Sequence, residues 1–224
     1  TSGDRLIAEE TVGTLVRALT EDPGIGAVSS KIWFMDESKP IFYAGGTFHP
    51  WTFNTDYHGL REKDVGQYDQ AGDTEIFSGC CTLIRAEVLR RIGLYHKAFF
   101  IYSDDIEWSV RALEAGIRQR YEPRATLWHK MYGSSTPSGG RKIPKSSPRV
   151  EYLLARNRFI LVRLHAKPWS LRRGFALAYH IFVRRLPRAA GLLLLRERRA
   201  AGIGLLKGLW DGLWIQPDPD DCRL

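Results

Sequence analysis

Cysteine is scarce in this 224-residue chain: there are three, and two of them are the adjacent pair Cys80 and Cys81. An odd count leaves one over, and neighbouring residues do not bridge without strain, so no disulfide framework is expected and a reducing compartment is the natural setting. Neither a CxxC pair nor a Cys/His finger spacing occurs, which removes the support for a structural zinc site. Helix-turn-helix, finger and RNP signatures are absent too, so nucleic acid is not expected as a partner. No apolar run reaches the ~18 residues of a membrane-spanning helix. The chain opens on Thr1 without a basic stretch leading into an apolar core, so no signal peptide is visible and the N-terminus reads as cut.

Acidic charge is also in short supply: 25 Asp and Glu face 33 Lys and Arg, a formal net charge of +8. That surplus favours contact with something anionic, either a membrane surface or phosphate groups on a small substrate, and charge alone does not choose between them. A hydrophobic content of 44% with 12% aromatics is that of a folded chain, long enough for one sizeable core and an appended segment.

Periodicity supplies the organisation. Ile7, Thr11, Leu15 and Leu19 fall at steps of four with Val16 beside them, predicting an amphipathic helix over 7–20 that ends at Asp22-Pro23-Gly24. Residues 26–34 read as a strand, followed by irregular hairpin and loop to about residue 73. Residues 76–84 are strand-like. Short helices are predicted over 85–92, closed by Gly93, and over 104–115, closed by Gly116. Strands over 119–121 and 125–128 bring His129 to a strand end, and 133–147 is a loop of Gly, Ser, Pro, Lys and Arg. From Val150 onward the pattern is helical and rich in Arg. One reading lays these basic helices in a membrane interface with Trp210 and Trp214 at headgroup level; the other packs them on the main domain with Arg on the wet face.

Chemistry concentrates in Tyr102-Ser-Asp-Asp-Ile-Glu-Trp108, a helix start with three carboxylates. Asp104 as N-cap with Glu107 three positions on would form a capping box, which accounts for two of them. Asp105 is left in the first turn, where the helix dipole favours its ionised form and a hydroxyl proton could be accepted. His129 could hold a metal or serve as a structural hydrogen-bond partner. Gly79, ahead of the cysteine pair, would let backbone approach a ligand or would form a bulge.

The order and spacing are more telling than any one residue. The run FSGCCTLIRAEVLRRIGLYHKAFFIYSDDIEWSVRALEAGIRQRYEPRATLWHK resembles the second half of family 2 glycosyltransferases of the rhamnosyltransferase and galactofuranosyltransferase kind, and the resemblance extends over roughly Ala8 to Val162. It implies an α/β fold: the acceptor-side part of a GT-A mixed sheet flanked by helices, over 1–148, then a helical, basic extension over 149–224. It makes Asp105 the base of an inverting transfer and puts Asp104, Glu107 and Trp108 on the acceptor side. Gly79 and Cys80 fall on the donor side, with Arg141 and Lys142 on a loop able to close over the donor diphosphate. His129 matches the histidine that joins an Asp-x-Asp motif in holding Mn²⁺ or Mg²⁺. That motif and the nucleotide-binding half are absent, and Thr1 to Arg5 resemble the residues just after it, so the chain alone is expected to bind a nucleotide sugar poorly. The whole enzyme implied would move a sugar such as rhamnose or galactofuranose from a nucleoside diphosphate to a lipid-linked or polysaccharide acceptor. It would work in the cytoplasm, peripheral to the anionic inner face of the plasma membrane. The alternative is a non-catalytic module that retains glycan or lipid binding.

Overall fold

The computed structural model describes residues 5–35, 39–130 and 147–223. Strand β1 (Arg5–Ile7) leads into helix α1 (Thr11–Glu21), then the long strand β2 (Ile25–Phe34), β3 (Ile41–Tyr43) and the hairpin β4 (Gly46–His49) and β5 (Asn54–Tyr57). Short strands β6 (Gly72–Asp73) and β7 (Thr82–Ile84) precede α2 (Ala86–Ile92), α3 (Asp104–Glu114) and β8 (Arg118–His129). Helices α4 (Pro148–His165), α5 (Leu171–Ala178), α6 (Leu186–Leu194) and α7 (Arg199–Trp214) follow, with a π-helical turn over Tyr179–Arg185 joining α5 to α6. Pro187 at the start of α6 lacks the N–H that would continue an α-helical ladder, which accounts for the wider turn before it.

The sheet is mixed, in the order β1-β8-β2-β3. Its centre is the parallel pair β2 and β8, while β1, β3, β6 and β7 all join antiparallel. With helices packed beside it, this is the α/β architecture expected from the sequence. Three local expectations are corrected. Ile7 belongs to β1, paired to Leu127, and the helix starts only at Thr11, whose hydroxyl donates to the Thr126 carbonyl at 2.7 Å. Only residues 82–84 of the 76–84 stretch are strand, because the preceding N–H groups go elsewhere: that of Phe77 to the Ser109 hydroxyl and that of Gly79 to Asp105. The two strands expected over 119–128 are one, with a register shift opposite Ser30 and Lys31 where Glu122 binds the Arg124 N–H and guanidinium.

One hydrophobic cluster spans the boundary expected at 148/149, while another, of Ala155, Phe159, Ala189, Leu192, Leu205 and Leu209 among others, lies wholly beyond it. Phe53, Ile76, Phe99, Ile106 and Val110 from one side pack in one cluster with Ile160, Leu161, Val162 and Ala176 from the other. Helix α7 then lies close along α4. A Cβ on Gly204 would strike the Pro148 carbonyl, one on Gly208 the Tyr152 carbonyl, and one on Gly212 the Phe159 ring at 2.8 Å. Since main chain cannot step aside as a flexible side chain can, Gly208→Ala is expected to destabilise the fold by about 1–3 kcal/mol, measurable as a shift in the denaturant midpoint; an unchanged midpoint would mean that the helices can separate freely.

Candidate active site

The segment before α3 is strained. Phe100, Tyr102 and Ser103 have φ of 62°, 67° and 64°, in the left-handed region that side chains rarely adopt. The turn is held from α4: the buried Asn157 amide donates to the carbonyls of Phe99 (3.2 Å), Ile101 (2.9 Å) and Tyr102 (2.8 Å). Arg156 in turn donates to Asn157 Oδ1 and to the Ala98 carbonyl at 2.7 Å. Helix α3 therefore starts from Ser103, whose side chain makes no cap bond, and the expected Asp104–Glu107 capping box is not formed. A left-handed N-cap residue does not present its side chain as an extended one does.

Asp105 sits in the first turn of α3, half-buried, with its carboxylate gripped by main chain. Oδ2 accepts the Gly79 N–H at 2.9 Å and Oδ1 accepts the Ile106 N–H at 2.9 Å. The Tyr57 hydroxyl stands 3.5 Å from Oδ2. Gly79 is required for this approach, since a Cβ there would lie 3.2 Å from the Asp105 Cβ. Desolvation, with the neighbouring Asp104 charge second, raises the Asp105 pKa to about 6 against the pull of the two N–H donors. Burial likewise raises Asp104, with Glu107 adding to it, and raises Tyr95, which also feels the charges of Asp105 and Asp104.

Glu107 and Trp108, expected on the acceptor side, are both buried with partners inside the fold. Glu107 is buried and bound by Arg111 (3.0 and 2.9 Å) and by His165 of α4 (3.2 Å), which also meets Glu114 at 2.8 Å. Burial opposes ionisation of Glu107, but the bonds from His165 and Arg111 prevail and hold its pKa below the usual value. Trp108 is fully buried against Phe77 and donates its indole N–H to the Gly93 carbonyl at 3.0 Å. Asp104 remains half-buried at the mouth of the turn, and Gly79 is exposed beside Asp105. Cys80 is half-buried. Arg141 and Lys142 lie outside the described residues.

His129 ends β8, as expected from the apolar run before it. It is tied to the site through aromatic rings: its imidazole lies 5.3 Å from Phe42, Phe42 meets Tyr57 edge-on at 5.8 Å, and Tyr57 reaches Asp105. Tyr57 and Asn157 were not identified from the sequence. Tyr57 falls in the stretch without periodicity. Asn157 carries a signal that could have been read, a polar residue among Leu153, Ile160 and Leu161 on a buried helix face.

The raised Asp105 pKa has a consequence for stability. Below the unfolded value of 3.8 the group is neutral in both states and its contribution to stability is fully present; that contribution is lost as pH rises through about 6, where the fold must hold the charge. Asp105→Asn should therefore gain in Tm relative to the unsubstituted protein between pH 4 and pH 7, read by thermal scans across pH. A difference independent of pH would show that the carboxylate is not desolvated.

The sequence model described as glycosyltransferase-like family 2 matches residues 1–142. A dTDP-rhamnosyl transferase, RfbF of Shigella flexneri, is 31% identical over 141 residues, which cover 62% of this chain and 45% of that protein. The chain thus spans less than half the length of this relative. Since the family match takes in more than half of its residues, the chain belongs to the glycosyltransferase-like family 2.

Proposed function

We propose that this chain forms the acceptor-side part of a sugar transferase in which Asp105 is the general base. The observation that carries the reading is the Asp105 carboxylate, gripped by two main-chain N–H groups at the mouth of a strained turn, with its pKa raised to about 6. Such a group is ionised at neutral pH yet basic enough to take a proton. An acceptor hydroxyl gives its proton to Asp105 as its oxygen bonds to the anomeric carbon; the bond from that carbon to the diphosphate breaks on the opposite face and configuration inverts. Asp104 beside it is suited to orienting the acceptor, and the exposed main chain at Gly79, with half-buried Cys80 next to it, leaves room for the donor. The similarity to a dTDP-rhamnosyl transferase favours a nucleoside diphosphate sugar, rhamnose or a related unit, as donor; the acceptor in this proposal is lipid-linked or a polysaccharide.

A divalent cation such as Mn²⁺ or Mg²⁺ would stabilise the leaving diphosphate, with His129 as a ligand. Among the described residues no three His, Cys, Asp or Glu side chains converge on a cation site, so the described part of the chain does not by itself hold one. The chemistry assigned to this chain is accordingly confined to the acceptor proton.

The basic helices favour an anionic membrane face at the inner side of the plasma membrane as the working surface. No helix among the described residues is long and apolar enough to cross a membrane. Phe182 and Arg184 are nevertheless exposed on the π-helical turn, Trp210, Trp214 and Arg199 on α7, and Leu194, Arg196 and Arg198 at and just beyond the end of α6, with Trp169 exposed in the turn before α5.

In a transfer assay with dTDP-rhamnose and the full-length protein, Asp105→Asn is expected to lower kcat by about 10²–10⁴-fold. The activity of the unsubstituted enzyme should rise with pH through about 6 and level off above it. A folded protein inert toward nucleotide sugars would move the reading to a glycan- or lipid-binding module. Replacing Trp210 and Trp214 together by Ala should weaken sedimentation with vesicles of phosphatidylglycerol without lowering Tm; unchanged sedimentation would remove the membrane from the proposal.

A further inference from the structure

The opposite face of the sheet carries a second cleft that the chemistry at Asp105 does not use. Side chains alternate along a strand, so Phe34 and His129 on one face imply Trp33 and Trp128 on the other. The two tryptophans are register partners on the parallel strands β2 and β8, and their rings stack with centroids 5.4 Å apart at 27°. They border a cavity of about 570 Å³ whose lining also includes Lys31, Lys39, Lys63, Asp64 and Asp69.

The cleft is braced from below. Lys31 is almost fully buried and its ammonium lies 2.6 Å from Asp64 and 2.7 Å from Asp69, drawing the turn that carries them onto the sheet. Asp64 also accepts the Trp33 indole N–H at 2.8 Å, which fixes that ring. Neither a buried lysine with two carboxylates nor a locked indole is needed at a solvated sheet edge. Together they hold an aromatic surface in one orientation beside groups that face water: Asp69 with 66% of its side chain exposed, Lys39 and Lys63.

The geometry points to a site for a pyranose unit of a glycan, lying by its C–H face on the Trp128 and Trp33 indoles with its hydroxyls met by Asp69, Lys39 and Lys63. A sugar ring is apolar on its face and polar at its rim, which matches an indole floor bordered by both acceptors and donors. Lys31 is already engaged by both carboxylates of the lining, so the phosphates of a nucleotide would find only the exposed Lys39 and Lys63 and no buried cation to receive them. A second sugar contact away from the reacting hydroxyl would bias the enzyme toward acceptors longer than one unit.

The test uses the indole N–H resonances of the protein's seven tryptophans. Titration with methyl α-L-rhamnopyranoside and with methyl β-D-galactopyranoside should shift the Trp33 and Trp128 resonances, assigned through Trp33→Phe and Trp128→Phe, and leave that of buried Trp108 in place. Trp128→Ala should weaken binding at least about fivefold. Lys63→Ala, an exposed position without risk to folding, should weaken it as well. Asp105→Asn should leave these shifts intact, so failure of the base assignment and failure of this site are separable. Absence of shifts at both tryptophans with either glycoside, or larger shifts there with dTDP than with either sugar, would overturn the proposal.

Discussion

One buried amide sets the geometry on which the acidic pair depends. Arg156, next to it on α4, holds the Asn157 side-chain oxygen, and Asn157 spends its N–H groups on three carbonyls of the turn before α3. Three left-handed residues cost on the order of 1–3 kcal/mol each, whereas each hydrogen bond returns a net of about 1 kcal/mol. The bonds alone do not offset the strain. The remainder comes from the apolar groups that the turn carries inward, Phe99 and Ile106, which pack with Ile160 and Leu161 from the same helix as Asn157. Helix α4 therefore supplies both the polar clamp and the apolar floor.

The same helix also stabilises α3 electrostatically. His165 bridges Glu107 and Glu114, two turns apart on α3, and Arg111 closes the pair on Glu107. Of the three carboxylates that open α3, one is thus held by Arg111 and His165, while Asp105 has two main-chain N–H donors and the Tyr57 hydroxyl. Environment, not residue type, separates a structural carboxylate held below its ordinary pKa from the proposed base held above it. The family match ends at residue 142, before α4 begins, so a segment beyond the matched region completes the setting of the residue proposed to react.

What the sequence disclosed follows the range of the interactions involved. Helices α1, α2 and α3, strand β2 and the placement of His129 at a strand end were legible because apolar periodicity and terminal glycines are local signals. The capping box was misread because Ser103's left-handed conformation is imposed by Asn157, fifty-odd positions away, and nothing in Tyr-Ser-Asp-Asp announces it. Glu107 and Trp108 looked available for a ligand for the same reason: their partners, His165 and the Gly93 carbonyl, are distant or main-chain. Tyr57 was illegible because it falls in a stretch without periodicity, and the tryptophan cleft because the register that pairs Trp33 with Trp128 is written in neither strand alone.

Strand register also gives β8 an unusual kind of parity. Trp128 and His129 are adjacent in sequence but face opposite sides of the sheet, so the length of chain leading to them decides which side receives the imidazole and which the indole. Along most of a strand, one inserted or deleted residue would exchange them. The irregularity at Pro123, Arg124 and Ala125 lies between the lower ladder, Arg118 to Glu122, and the upper one, Thr126 to His129, and both halves keep their own pairing with β2. It is a place where length can vary without propagating, and it decouples the frame of the sheet's interior from the two residues at its edge.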